Sequence, residues 1–387
     1  MTRMQTMIRS VILCAVSAAF SLAASSEGQL AYLGAWPHQV IVFDAAKEKI
    51  VDHVELKNDV PRSLVLSPDK KKLYVSTLND NAIVTIDLAT NKVIDSFSLN
   101  TPGKNFRLSG LTTDPSGHFL YGVAVTITKQ LDHYDVDPPK FAVIDLNEKK
   151  IVRWGDFPKD DTFIGYRVAI KASPDGKYLY LFRDNITVFD TATFKVVKKM
   201  ELAKPPVSGM ENLSISMVED PNELPGTMTS VFNSSDPYVH RQIFGIAEVN
   251  LSNLTFNFTP VGPATTAMMP LMLTPDRKVG YTVAINGLHG NRRCEFWAFD
   301  MQTKKLINKR DFDGRTRFYF GMSADGTKLF IYGAGYQIEV YDAKTLQLRS
   351  DIDTPGDITT NMVVMPLAIG ASAAASATPQ TGQRRTR

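Results

Sequence analysis

Short apolar runs that end on an acidic or amide residue recur along the chain: Val42-Phe43-Asp44, Thr85-Ile86-Asp87, Val143-Ile144-Asp145, Val188-Phe189-Asp190, Glu248-Val249-Asn250, Ala298-Phe299-Asp300 and Val340-Tyr341-Asp342. The seven instances lie about 50 residues apart, the spacing of a repeat architecture. Each is followed by a few turn formers and a second β-prone run, as in Asp87-Leu88-Ala89-Thr90-Asn91-Lys92-Val93-Ile94. This pattern predicts strand, tight turn, strand. A carboxylate or amide suits the first turn position because it can accept backbone N–H groups two residues on.

A second marker lies upstream of most anchors: Ser67-Pro68-Asp69, Asp114-Pro115-Ser116-Gly117, Ser173-Pro174-Asp175-Gly176, Thr274-Pro275-Asp276 and Ser323-Ala324-Asp325-Gly326. Proline presets a turn and glycine supplies positive φ at its end, so each repeat holds two hairpins. Four-stranded units repeated at this period make an all-β, seven-bladed β-propeller. A linear solenoid would need polar caps. The termini point to a ring instead. Residues 29–56 supply three strands and 357–365 supply one more, so the C-terminal strand completes the first blade and closes the circle.

The segments outside the repeat set the domain organisation. Arg3 and Arg9, the apolar run Val11 to Phe20 and the small residues Ala23 to Ser26 form a secretory signal peptide over residues 1–24. The propeller is expected over 27–366, and 367–387, rich in Ala, Ser, Thr and Gln, reads as a disordered tail. The apolar run is too short for a permanent membrane span. Two repeats are stretched, by a loop from Lys129 to Pro139 and by a longer insertion from Lys204 to about Tyr238.

Composition excludes more than it assigns. The 387 residues are 44% hydrophobic and 21% charged, an ordinary globular balance. Without Arg3, Arg9, Arg384, Arg385 and Arg387 the 43 basic residues become 38 against 40 acidic ones, which leaves no basic footprint for nucleic acid. With the signal peptide removed, Cys294 is the only cysteine, and it reads as a small buried hydrophobe. Two cysteines, Cys14 and Cys294, cannot attach a c-type haem. The six histidines show no metal-ligand spacing. There is no phosphate loop, dinucleotide fingerprint or nucleophile elbow. Trp36, Trp154, Trp297 and the run Phe318-Tyr319-Phe320 read as blade packing. Asp132, His133 and Tyr134 alternate faces on an extended segment, which suits a docking loop better than a catalytic triad. The expected catalytic, cofactor-binding and metal residues of this chain are therefore none.

The stretched third repeat also carries a resemblance. Asp132-His133-Tyr134, Val136 and Pro138-Pro139, followed by a basic residue and the run Phe141 to Asp145, resemble the β subunit of quinohemoprotein amine dehydrogenase, a propeller of the YVTN type. Asp184-Asn185-Ile186 leading to Asp190 looks like that subunit's fourth-blade hairpin, and Pro355-Gly356-Asp357-Ile358-Thr359-Thr360 like its closing segment. The likeness runs in order from about Gln29 to Pro366, with these segments specific and the rest generic to such propellers. It implies a periplasmic complex that oxidises primary amines to aldehydes and releases ammonia. A small partner would carry cysteine tryptophylquinone and a larger one two c-type haems. The propeller would hold no redox group, scaffold both partners and help wall the substrate pocket, with Asp132, His133, Tyr134, Pro138 and Pro139 at that interface. The 204–238 insertion and the tail depart from the family pattern. A stand-alone binding propeller and a propeller lactonase, which would gather carboxylates and amides around a cation, are the competing readings.

Overall fold

The computed structural model describes residues 29–367 apart from 58, 159–168, 183–184, 202–209, 216–219, 237, 254, 288–290, 316 and 334. The expected signal peptide, residues 368–387 of the expected tail, Asp184 and parts of the 204–238 insertion lie outside the described residues. The chain forms seven antiparallel sheets, each built on four sequential strand positions, arranged as a seven-bladed β-propeller. Blades 2 to 7 span residues 61–98, 104–156, 169–201, 211–263, 267–312 and 319–353, and blade 1 combines 30–55 with Val363–Val364.

Burial explains why the apolar runs are continuous rather than alternating. The strand Gln39–Asp44 is buried at every position. Val40 and Val42 pack against blade 2, and Phe43 packs against blade 7. Middle strands covered on both faces need apolar residues on both, whereas an outer strand such as Lys305–Phe312 is almost entirely exposed. Seven apolar clusters result, one across each junction between neighbouring blades, including the junction of blade 7 with blade 1. Aromatic edges reinforce several of them. Phe43 meets Phe330 at 5.5 Å across the closing junction, and Phe296 meets Tyr341 at 4.7 Å between blades 6 and 7.

The ring closes where the termini meet. Val363 and Val364 pair with Tyr32 and Ala31, and Ile358 bridges Ala35, so the C-terminal segment is the innermost strand of blade 1. Backbone bonds run from Trp36 N to Asp357 O (2.8 Å), Thr359 N to Gly34 O (2.8 Å) and Met365 N to Leu30 O (2.9 Å). The buried Tyr332 hydroxyl of blade 7 accepts Met362 N at 2.8 Å. Gly34 is required by close approach, since a Cβ there would lie 2.6 Å from Thr360 Cγ2 and 2.8 Å from Pro61 Cβ. On the rim of the same junction, the Glu48 carboxylate of blade 1 meets Lys328 Nζ at 2.9 Å and Arg349 Nε at 3.1 Å, both from blade 7, and accepts Ser350 Oγ at 2.5 Å. Burial raises the Glu48 pKa, but the bonds from Ser350 and Lys328 outweigh it and hold the group below the usual range.

One end of the propeller is built from a repeated set of turns. The anchors accept the N–H groups expected of them: Asp44 takes Ala46 and Lys47 at 3.0 Å each, and Asn250 takes Ser252 at 2.9 Å and Asn253 at 3.1 Å. Asp87, Asp190, Asp300 and Asp342 bind both the N–H and the hydroxyl of a threonine three residues on. The residue four beyond the anchor has positive φ at Glu48, Asn91, Lys149, Phe194, Lys304 and Leu346, and in those six blades the outer pairing shifts by one residue beside the anchor, whereas in blade 5 the shift lies at Phe244/Gly245. This is a turn followed by a left-handed residue and a bulge. In the second marker, Ser67, Ser173, Thr274 and Ser323 donate to the aspartate two residues on at 2.6 to 2.7 Å. The turn glycines also touch the preceding blade. A Cβ on Gly326, whose φ is +70, would lie 2.7 Å from Pro275 Cδ.

Three sequence expectations change. The 204–238 insertion is in part regular structure, because Glu211–Ile215 and Thr227–Ser235 are the first two strands of blade 5. Its turn, Asp220-Pro221-Asn222, repeats the Asp114-Pro115-Ser116 form of the marker, with Asp220 accepting Asn222 N at 2.9 Å and Leu273 N of blade 6 at 2.8 Å. Burial pushes the Asp220 carboxyl up to about 6. Trp36 is not blade packing: it is 54% exposed in the hairpin turn between the second and third strands of blade 1, while Trp154 lies tilted against Phe106 and Trp297 meets Phe244 edge to face. The Lys129 to Pro139 segment is not a plain loop, as described below. Cys294 is buried between blades 6 and 7, as expected.

The Glu48 cluster makes a pH-dependent prediction. A carboxylate whose folded pKa is lowered stabilises above its unfolded value, about 4.3, and loses that contribution as pH falls through the folded value. Glu48→Gln is expected to destabilise by about 1–2 kcal/mol at pH 7. In urea unfolding at several pH values, the gap between the variant and wild type should narrow steadily from about pH 5 to about pH 3. Asp220 acts with the opposite sign in both proteins and does not affect the difference.

Candidate functional site

The two ends of the propeller differ in regularity. At one end the turns joining first and second strands are five residues long in blades 2, 3, 4, 6 and 7. The other end carries the blade-to-blade connections and the links from second to third strands, which range from 36–38 to 130–139. Variable connections on a rigid scaffold are where binding groups are placed. This second end is the loop face.

The largest departure on that face is in blade 3. Its second strand, Phe119–Lys129, runs past the end of the blade, flanked by the inner strand Lys104–Thr113 on one side and by Tyr134–Val136 on the other. Tyr134 pairs with Lys129, Asp135 with Thr128 and Val136 with Ile127, while Lys104 to Arg107 pair with Thr128 to Val125. The expected loop is therefore the outer strand and tip of a three-stranded ribbon. The tip closes with Gln130 N donating to His133 O at 2.9 Å. Pro138 and Pro139 follow the third strand, where two missing N–H groups let the chain step one residue out of register before Lys140 pairs with Ala124.

The proposed site residues fall into distinct positions on this ribbon. Asp132 and His133 lie at the tip, with His133 Nδ1 2.7 Å from Asp132 Oδ1 and its Nε2 3.3 Å from Asp135 Oδ1. Gln130 Nε2 donates to Asp135 Oδ2 at 2.6 Å. Tyr134 and Val136 point to the opposite side from Asp135 and are 60% and 65% exposed, and Leu131 at the tip is fully exposed. Pro138 is exposed and Pro139 half-buried. Exposed ion pairs of this kind contribute about 0–1 kcal/mol to stability, so the cluster shapes a surface rather than holding the fold. No buried acid–base pair forms here, and the arrangement offers contact chemistry: an apolar side and a hydrogen-bonding, acidic side.

A second feature was not foreseen from the sequence. Where the inner strands of blades 1, 2, 3 and 7 converge, the mouth of the central channel on the loop face holds a cavity of about 530 Å³. Arg62 and Arg107 line it, with Tyr319, Asn361 and several serine and threonine hydroxyls, and no Asp or Glu is among its lining residues. Arg107 belongs to the same strand as the base of the ribbon, so the ribbon rises from the cavity wall. Neither arginine sits in a recognisable motif. Only the propeller topology brings them together, and the one local signal was a charge on an inner strand of each of two adjacent blades.

These features define a seven-bladed propeller with a projecting ribbon beside a basic channel mouth. No protein-family model matches the chain, and no curated protein matches it. Among solved structures it is similar to the dihydro-heme d1 dehydrogenase NirN in complex with DHE, at 15% identity over 87% of this chain and 75% of that one, with a TM-score of 0.52. A functionally unknown protein from Desulfotomaculum acetoxidans is similar at 13% identity over 87% of this chain and 99% of that one, with a TM-score of 0.53. Kuenenia stuttgartiensis hydrazine synthase is similar at 16% identity over 83% of this chain and 90% of that one, with a TM-score of 0.47. At these identities the likeness is one of fold.

The ribbon's exposed apolar residues should be dispensable for folding. A Leu131→Ser, Val136→Ser double variant is expected to unfold within about 0.5 kcal/mol of wild type, because neither side chain is buried. Urea denaturation checks this, and a loss of several kcal/mol would mean that the ribbon packs on the blade.

Proposed function

We propose that this chain is the noncatalytic β-propeller subunit of a periplasmic quinohemoprotein amine dehydrogenase. The observation that carries the reading is a coincidence. Asp132, His133, Tyr134, Val136, Pro138 and Pro139, the residues of the family resemblance, lie on a ribbon that projects from the loop face with Leu131, Tyr134 and Val136 exposed. Large exposed apolar side chains grouped on a rigid extension are what a partner surface covers. In this reading the ribbon docks the small quinone-bearing subunit, and the dihaem cytochrome c subunit binds the same propeller. Cysteine tryptophylquinone and haem c belong to those partners, which supply the oxidation of a primary amine to aldehyde and ammonia.

What this chain contributes is position and field. Strand pairing on both sides of Phe119–Lys129 fixes the ribbon before a partner arrives, and the proline pair limits the ordering entropy of its exit. Asp132 and Asp135 at the tip give a local negative potential that favours an ammonium substrate over the basic channel mouth. A stand-alone binding propeller is the second reading, favoured by the channel-mouth cavity. The lactonase reading is disfavoured by the same cavity, because Arg62 and Arg107 stand where a cation would need carboxylates.

Interface anchors are commonly aromatic, and truncating one costs about 2 kcal/mol or more, roughly a thirtyfold loss of affinity. Tyr134→Ala is expected to fold as wild type, to lose its partner subunits on affinity purification and to lose amine-dependent dye reduction. If Tyr134→Ala and His133→Ala both assemble and turn over like wild type, the ribbon is not the docking element.

A further inference from the structure

The channel-mouth cavity has the make-up of a ligand site in two respects, its lining and its backbone. The first is its lining. Arg62 and Arg107 supply two guanidinium groups, Asn361 an exposed amide, and Leu78, Leu111 and Tyr319 an apolar side. A volume of about 530 Å³ lies within the usual range for small-molecule pockets. The second is its backbone. Both inner strands that carry the arginines are bulged there: pairing in blade 2 steps from Pro61 opposite Thr77 to Ser63 opposite Ser76, which makes Arg62 the extra residue. In blade 3 it steps from Ser109 opposite Val123 to Leu111 opposite Gly122, which makes Gly110, at φ +65, the extra residue. Among the described residues the inner pairs of blades 5 and 6 also step by one residue and that of blade 1 by two, whereas those of blades 4 and 7 keep one register. Bulges re-aim side chains and gather near binding sites.

The remaining wall is held in place. Ser63 Oγ and Ser76 Oγ are 2.6 Å apart across the bulge. Thr359 Oγ1 donates to Pro61 O at 2.8 Å, and Thr360 Oγ1 accepts Gly34 N at 2.8 Å. The closing strand of blade 1 is thereby fastened to blade 2 at the cavity's edge, so the pocket is formed before any ligand enters.

We propose that this cavity binds a small organic anion, its carboxylate or phosphate held by Arg62 and Arg107 and its carbon skeleton lying on Leu78, Leu111 and Tyr319. Guanidinium groups take carboxylate and phosphate through paired, charge-assisted hydrogen bonds, which two arginines on adjacent blades can share. An ammonium group offers a guanidinium no acceptor, so amines are not expected in this site. The inference stands on this chain alone and does not depend on the subunit reading.

Calorimetric titration of the purified chain with succinate, inorganic phosphate and n-butylammonium tests it without any partner. Saturable binding of succinate or phosphate is expected, with no heat of binding from n-butylammonium. Arg107→Gln, an exposed substitution that leaves the fold intact, is expected to weaken the anion at least tenfold, and Arg62→Gln likewise. Absence of saturable anion binding to wild type, equal binding of n-butylammonium, or wild-type affinity in Arg107→Gln would overturn the proposal.

Discussion

The structure depends on one demand: the middle strands of every blade are apolar on both faces, and each face must be covered by a neighbouring blade. A stack of such sheets has no comfortable end. Leaving either terminal blade uncovered would expose side chains such as Phe43 or Phe330, each of which stabilises by roughly 1.5–3 kcal/mol when buried. A ring removes the ends, and the seventh cluster, between blades 7 and 1, is what the ring adds. Closure is then secured three ways at that junction: by the inner strand Val363–Val364 with the Ile358 bridge, by the Tyr332 hydroxyl on Met362 N, and by the Glu48 cluster at the rim. The lock draws on both ends of the chain, so it cannot form until the whole propeller has been made.

Given a closed ring, the two faces are free to specialise. The turn face repeats one solution, with carboxylates capping N–H groups and glycines set against the preceding blade's prolines. Its regularity leaves little room for recognition. The loop face carries the connections whose length the ring does not dictate, and the extended strand of blade 3 exploits that freedom. The ribbon and the channel mouth meet along Lys104–Thr113, with Asn105 paired in the ribbon and Arg107 in the cavity wall. They carry opposite charge: acidic at the tip, basic at the mouth. A projecting ribbon and a preformed pocket of opposite polarity can serve two ligands at once.

The blade count, the pairing of strands and the closing segment were legible in the sequence because they rest on local chemistry. An aspartate after an apolar run and a proline before an aspartate each impose a turn wherever they occur. The misread parts depend on relations that a linear pattern does not carry. Lys129 to Pro139 looked like a loop because its prolines and polar residues break alternation, yet backbone pairing with Phe119–Lys129 needs no apolar signature. Trp36 has the bulk of a packing residue, but a turn between two strands places it in solvent. Residues 211–215 and 227–235 look like part of an insertion because the Asp220-Pro221-Asn222 turn is longer than its counterparts, the next strand starting seven residues after Asp220 against five after Asp114. Arg62 and Arg107 lie 45 positions apart and become neighbours only through the ring.

The central functional claim is that this propeller works as a scaffold for redox subunits. The most direct measurement is the visible absorption spectrum of the protein purified from its native source under conditions that preserve complexes. The account predicts haem and quinone bands that co-elute with the propeller and bleach or shift when a primary amine is added. A colourless protein that elutes as a single chain would contradict it.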